Sequence, residues 1–187
     1  MRVKVVLLLC VIFLLSGCKG QADPLDNAIA LRNRILESEG CSFKASICAD
    51  YGEKQYEFSM FCQTNKAGDL SFEVIEPATI AGIQGKVRSD GGALSFDDKV
   101  LAFQTIADGR ITPVTAPWLL MKTLRSGYIK GSTLDEDGFQ VTINDSYAEN
   151  AFYLNVWVDR DHLPASAEIF WENRRIFTVT VEDFTYL

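Results

Sequence analysis

The chain has 187 residues and an excess of acidic side chains, 25 Asp and Glu against 18 Lys and Arg, which gives a net charge of −7 at pH 7. This length is enough for one domain with a hydrophobic core. The acidic charge argues against nucleic acid as a partner. It also argues against adhesion of the domain itself to anionic lipid.

The N-terminal segment is typical of a bacterial secretory signal. Arg2 and Lys4 precede an apolar run of 11 residues from Val5 to Leu15. A basic start, a short apolar run and small residues after it are the three parts of such a signal. The run is too short for a transmembrane helix, which needs about 20 residues. We therefore expect export out of the cytoplasm.

The end of this segment, Leu15-Ser16-Gly17-Cys18, resembles the lipobox of bacterial lipoproteins. The resemblance implies cleavage before Cys18 and attachment of two acyl chains, such as palmitate, which is enough for stable membrane anchoring. We expect a signal peptide at 1–17, a lipidated tether at 18–23 and an extracytoplasmic domain at 24–187. Removal of the signal peptide, which carries two cations and no acid, would leave a net charge of −9.

The tether leads into a predicted helix of about four turns. Asp23 is a typical helix cap and Pro24 suits the first helical position. Two apolar stripes follow at helical spacing, 28/31/35 and 25/29/36. Arg32, Arg34 and Glu37 are expected on the solvent side, and Gly40 is expected to end the helix.

The periodicity changes to two at Cys41, which predicts a β-hairpin with its turn at Asp50-Tyr51-Gly52-Glu53. If Tyr51 and Gly52 are the two turn residues, Cys41 lies directly opposite Cys62, at a Cβ separation of about 4.5–5.5 Å that a disulfide can bridge. The alternative is that Cys41, Cys48 and Cys62 are free thiols packing as small apolar residues.

The remaining chain is predicted as short strands interrupted by one helix. The predicted strands are 70–74, 85–88, 93–96, 100–103, 128–134, 139–143, 151–158, 164–171 and 176–184, with Pro77 ending the first of them. Trp118 to Leu124 has helical spacing and stops near Gly127. Short turns between the strands favour an antiparallel meander. The fold class is therefore α+β, with a curved antiparallel sheet covered by an N-terminal helix and a short middle helix.

This order of elements resembles the LolA/LolB-like domains, which are lipoprotein carriers and acceptors with a half-open β-barrel closed by helices. The residues that carry the resemblance are the segment from Gly68 to Pro77, which is similar to the family's proline-terminated strand, and the Asp159–Pro164 hairpin. The carriers place an arginine shortly after the proline. Here Pro77 is followed by Ala78-Thr79-Ile80-Ala81-Gly82 instead, which weighs against the carriage of acyl chains.

The form of the chain, with Ala116-Pro117-Trp118 leading into a helix, is more similar to GerS-like lipoproteins of spore-forming Gram-positive bacteria. That resemblance implies docking on a protein partner in germination or in the cell envelope. Trp118, Leu119, Leu120 and Met121 follow the proline-rich loop and are the predicted ligand or partner surface.

No pattern of residues indicates an enzyme, a metal or a cofactor. His162 is the single histidine, and its place beside Asp161 fits a solvated turn better than general base catalysis. The cysteines lack CxxC spacing, which argues against zinc. The acidic turn from Asp135 to Gly138 has too few carboxylates for a calcium loop. An envelope hydrolase would need a catalytic residue outside these motifs.

The sequence therefore predicts a non-enzymatic lipoprotein, anchored through Cys18 on the outer side of the cell membrane, that binds a protein partner. The alternative is an acyl-chain or lipoprotein carrier or acceptor of the LolA/LolB type. An acyl chain bound in the half-barrel would distinguish the second function from the first.

Overall fold

The computed structural model describes residues 23–88, 95–96 and 106–187. The lipobox with Cys18 and the predicted strand at 100–103 lie outside these ranges. Among the described residues, no helix is both long enough and apolar enough to cross a bilayer.

The first helix, α1, spans Pro24–Glu37, as predicted from its cap. The side chain of Asp23 accepts a hydrogen bond from the backbone N–H of Leu25 at 3.0 Å, which satisfies one of the free donors at the helix start. The helix ends at a Ser38 cap, so the prediction that Gly40 ends it was wrong. Gly40 is instead buried at the start of the first strand.

In the part of the chain that the structure describes, ten strands follow, and the predicted alternation of apolar and polar residues is visible in their burial. They are β1 Cys41–Asp50, β2 Gln55–Thr64, β3 Leu70–Glu76, β4 Gln84–Val87, β5 Ser95–Phe96, β6 Tyr128–Asp135, β7 Gly138–Asn144, β8 Tyr153–Asp159, β9 Pro164–Trp171 and β10 Arg174–Tyr186. In β1 and β7 every second side chain is buried, because one face of the strand packs on the core.

All ten strands form one antiparallel sheet in the order β5-β4-β3-β2-β1-β10-β9-β8-β7-β6. Neighbours in the sheet are neighbours in the chain except at the centre, where β1 pairs with the last strand, β10. Within the described residues the sheet is open, with β5 and β6 at its two ends. This confirms the α+β class and the meander.

The second helix, α2, spans Ala116–Ser126 and follows a short 3-10 turn at Pro113–Thr115. Gly127 caps its end, as predicted. Both helices contribute to one continuous hydrophobic core with the inner face of the sheet. The largest side chains with less than 2% exposure include Phe43, Phe139, Phe177, Leu31, Ile35 and Leu120.

Arg32 joins the two helices, which corrects the prediction that it lies on the solvent side. Its guanidinium Nε donates to the carbonyl of Leu124 at 2.8 Å, and Nη2 donates to the carbonyl of Gly127 at 2.7 Å. These carbonyls at the end of α2 have no partner within their own helix, and a cation there is favourable. Burial lowers the pKa of Arg32, and the two carbonyl oxygens replace the water that its guanidinium loses.

Candidate functional site

The predicted partner surface at the start of α2 is mostly core. Leu119, Leu120 and Met121 are exposed by 2% or less and pack against the sheet. Only Trp118 is partly exposed. Three of the four residues are therefore out of reach of a partner in this structure, because α2 turns its broad apolar side inward.

The hairpin register differs from the one predicted. The loop between β1 and β2 has four residues, closed by a hydrogen bond from the N–H of Tyr51 to the carbonyl of Lys54 at 2.9 Å. Phe43 consequently lies opposite Cys62, and Ser42 lies opposite Gln63. Cys41 and Cys62 share a face but are diagonal neighbours, about 7–8 Å apart at their Cα atoms, which is too far for a disulfide. Both thiols are free in the structure, as is that of Cys48.

We expect iodoacetamide to modify only the Cys48 thiol in the folded protein at about pH 8. All three thiols after Cys18 should react once the protein is unfolded without a reductant. Cys41 and Cys62 are buried, and desolvation raises the pKa of both thiols. Cys48 is half-buried, and its pKa is raised by desolvation and then by the charges of Glu57 and Asp50, so its labelling should accelerate with pH.

Mass spectrometry of the labelled protein counts the modified thiols, and Cys48→Ser is the control that should remove labelling of the folded state. If only one thiol reacts in unfolded, unreduced protein, the other two are joined in a disulfide and the hairpin register differs from that of the structure.

The face of the sheet that points away from the helices carries an open cleft of about 550 Å³. We call it the sheet cleft. Its lining is Ser46, Ile47 and Cys48 of β1, Glu57, Phe58 and Ser59 of β2, Glu76 and Pro77 at the end of β3, and Thr178 and Thr180 of β10. The outward-facing members of this set bring hydroxyls and carboxylates to the cleft, so hydrogen-bonding groups lie beside its apolar surface.

Strand register aligns the polar groups of the sheet cleft in a row. Thr180, Ser46, Ser59 and Glu76 are successive partners across β10, β1, β2 and β3. The hydroxyl oxygens of Ser46 and Ser59 are 2.9 Å apart, and the Ser59 hydroxyl donates to Glu76 Oε2 at 3.4 Å. Cross-strand pairs of this kind fix the side chains in place before a partner arrives.

The sheet cleft is acidic. Glu57 and Glu76 line it, and the cations near it are already paired with other carboxylates. Lys44 Nζ lies 3.1 Å from Glu182 Oε2, and Arg175 is paired with Glu168. The cleft therefore suits a partner segment that carries Lys or Arg and hydrogen-bond donors.

Trp118 lies between two smaller open grooves, each of about 280 Å³, beside α2. The lining of the first includes Arg88, Arg110, Asp145 and Phe152, and that of the second includes Leu36 and Arg125. Lys122 lines both, and its Nζ lies 5.2 Å from the centre of the Trp118 ring. Cations and aromatic rings thus come together around α2 although the chain as a whole is acidic.

The catalytic and metal interpretations gain no support from the described residues. His162 lies in the β8–β9 turn, where its ring contacts Phe139 with centroids 5.5 Å apart. The ranges that the structure describes contain no group of three His, Cys, Asp or Glu residues placed to hold a metal ion.

Sequence reasoning missed both the sheet cleft and the cations around α2. The row of hydroxyls depends on strand register, which the sequence does not reveal, although Ser46, Thr178 and Thr180 alternate with buried residues as outward-facing positions do. Lys122 and Arg125 follow Trp118 at i+4 and i+7, a spacing that places the three on one side of a helix and is visible in the sequence.

Three comparisons bear on the chain's relatives. No family model and no curated protein match the sequence. An uncharacterized conserved protein from Thermus thermophilus is similar with a TM-score of 0.43 and 13% identity, over 86% of this chain and 87% of that one.

A LolA superfamily protein from Nitrosomonas europaea is similar with a TM-score of 0.40 and 8% identity, over 89% of this chain and 94% of that one. A chain of the Pseudomonas aeruginosa MucA/MucB complex gives 0.42 and 11%, over 86% of this chain and 56% of that one. Likeness at this level carries no conclusion about function.

Proposed function

We propose that this chain is a non-enzymatic lipoprotein, anchored on the extracytoplasmic face of the cell membrane through diacylated Cys18, that binds a protein partner of the envelope. In a spore-forming host the role would be in germination or in the cell envelope. The lipobox supports the anchor. The open sheet cleft, with its fixed hydroxyls and two carboxylates, is the observation that carries the binding role.

The packing beneath the helices favours a protein partner over an acyl chain. In the LolA/LolB-like domains that the sequence resembles, acyl chains bind between the helices and the sheet. Here the inward side chains of that layer, including Leu31, Ile35 and Leu120, are exposed by 1% or less and belong to one continuous core. An acyl chain would have to displace such side chains from the core, and loss of the packing of one buried Leu or Ile side chain costs about 2–5 kcal/mol.

The test is co-purification of the partner from envelope membranes with the full-length lipoprotein, followed by a binding titration. We expect Glu57→Lys together with Glu76→Lys to weaken binding by at least about tenfold, which is about 1.4 kcal/mol. The control Glu136→Lys reverses one carboxylate in an exposed turn and should leave binding unaltered, so each single cleft variant is compared with it. High salt should mimic the cleft variant.

Native mass spectrometry of the purified protein distinguishes the two functions. A stoichiometric protein complex that the cleft variant abolishes supports the proposal. A mass increment of one phospholipid or acyl peptide, unaffected by the cleft variant, would replace the proposal with the carrier function.

A further inference from the structure

One flank of α1 presents apolar side chains to solvent. Leu25, Ile29 and Leu36 are exposed by 42%, 44% and 41%. Their spacing of four and seven residues places them in one stripe along the helix. The other predicted stripe, at Ala28, Leu31 and Ile35, is buried against the core. The exposed stripe therefore takes no part in packing α1 on the sheet.

This stripe borders α2. Arg32, which lies within the stripe's span, reaches the carbonyls of Leu124 and Gly127 at the end of α2. Leu36 lines the same groove as Trp118, Lys122 and Arg125 of α2. We define the helix face as six residues from the two helices: Leu25, Ile29, Leu36, Trp118, Lys122 and Arg125.

The charge of the helix face is opposite to that of the chain. Its two charged members, Lys122 and Arg125, are both cations, and the neighbouring groove adds Arg88 and Arg110 against one acid, Asp145. Asp26 and Glu37 follow Leu25 and Leu36 in the sequence and lie about 100° further around α1, at the border of the stripe. Exposed leucines, a tryptophan and cations on one face are the composition of surfaces that lie in the membrane interface.

The length of the tether limits where this face can be. Six residue steps separate the lipidated Cys18 from Pro24, where α1 begins. A fully extended chain of that length reaches at most about 20 Å. An anchor on Cys18 therefore holds the start of α1, with Leu25 in its first turn and Ile29 in its second, close to the headgroups, and brings a face on that helix near the bilayer.

We propose that the helix face docks on the bilayer in which Cys18 is anchored, with the apolar stripe and Trp118 in the interface and Lys122 and Arg125 against anionic headgroups. This inference rests on the anchoring part of the proposed function. It departs from the expectation that net charge keeps the domain away from anionic lipid, because local charge decides a contact within about 10 Å. The sheet cleft, on the opposite face of the sheet, would then point away from the membrane.

The test uses the full-length acylated protein in vesicles of phosphatidylethanolamine and phosphatidylglycerol whose acyl chains carry bromine, which quenches tryptophan fluorescence on contact. We expect quenching that falls in the Trp118→Phe variant, because Trp118 is the partly exposed tryptophan of the helix face, whereas Trp171 is buried in β9 and Trp157 lies in β8. Lys122→Glu with Arg125→Glu should reduce the quenching at least twofold, and so should Leu25→Asp with Ile29→Asp.

Two controls carry single substitutions of the same kind elsewhere on the surface. Lys54→Glu reverses a charge in the exposed β1–β2 loop, and Phe61→Asp changes an apolar side chain of β2 that is 48% exposed on the outer face of the sheet. Neither should alter the quenching. Because all substituted apolar positions are exposed, loss of folding does not explain a difference between the sets.

The failures of the anchor and of the docked face are distinguishable. Protein that floats with the vesicles but shows no Trp118-dependent quenching overturns the docking and leaves the anchor intact. Protein that does not float overturns both. A stoichiometric protein complex lost on Lys122→Glu, without quenching, would assign the helix face to an acidic protein instead.

Discussion

Replacement of Gly40 by alanine is expected to lower the free energy of unfolding by about 3 kcal/mol or more, measured as a shift of the urea midpoint at constant slope. A Cβ at Gly40 would lie 2.1 Å from the carbonyl oxygen of Thr64 and 2.9 Å from its carbonyl carbon. Both atoms are backbone, so no side-chain rotation relieves the clash.

Hydrogen bonds on both sides of Gly40 prevent its backbone from moving away from Thr64. The N–H of Leu187 donates to the Gly40 carbonyl at 2.9 Å, and the N–H of Glu39 donates to the Leu187 carbonyl at 3.0 Å. On the other side, the N–H of Cys41 donates to the Thr64 hydroxyl at 2.9 Å. Gly40 precedes β1 and thus lies between the end of β2 and the end of β10, the two strands that flank β1 in the sheet.

Gly131→Ala is the matched control, because a Cβ at Gly131 in the edge strand β6 would meet no atom within 4 Å. We expect its free energy of unfolding to stay within about 0.5 kcal/mol of the parent protein, or to rise slightly through the lower entropy of the unfolded chain. Equal stability of the two variants would show that β1 and β2 do not approach as closely at Gly40 as the structure has them.

Gly40 also shows what sequence patterns can and cannot predict. Glycine ends many helices, and that rule placed the end of α1 three residues too late. The actual reason for glycine, the approach of Thr64, involves a residue 24 positions away that no local pattern contains. Strand positions were predicted better, because alternating burial is visible in each strand separately.

The hairpin illustrates the limit for strand pairing. The faces of β1 and β2 were predicted correctly, because a shift of two residues keeps every side chain on its own side. Because the loop has four residues and not two, Cys62 lies opposite Phe43 and not opposite Cys41, and the thiols are free, as in the alternative to the disulfide. The same register determines the row of hydroxyls in the sheet cleft, so the cleft could not be predicted either.

The helices show a different limit of prediction from sequence, namely which side of a helix is buried. The two apolar stripes of α1 are similarly hydrophobic, and only the packed structure shows that 28/31/35 faces the sheet. In α2 the consecutive residues Leu119, Leu120 and Met121 were interpreted as a surface, but they fill a wide buried side. Of the four residues, only Trp118 is partly exposed. It lies four residues before Lys122 and therefore on the same side of α2.

Replacement of Cys18 by serine is expected to abolish incorporation of labelled palmitate completely and to remove the diacyl mass from the protein. The reason is chemical, because the acyl chains that the lipobox implies are attached through the cysteine sulfur, and the serine variant has no thiol. Two acyl chains provide most of the membrane affinity, since each buried CH₂ contributes about 0.8 kcal/mol. Mass spectrometry of the mature chain would also show whether it begins at residue 18.

Cys48→Ser is the matched control, because it removes a half-buried thiol from the domain and should leave palmitate incorporation unchanged. Labelling that survives in the Cys18 variant and is lost in the control would move the anchor to β1, on the face of the sheet opposite the helices. The helix face would then point away from the membrane and the sheet cleft toward it. The position of the lipid therefore decides the orientation of the whole domain, and these two variants determine it before any partner is known.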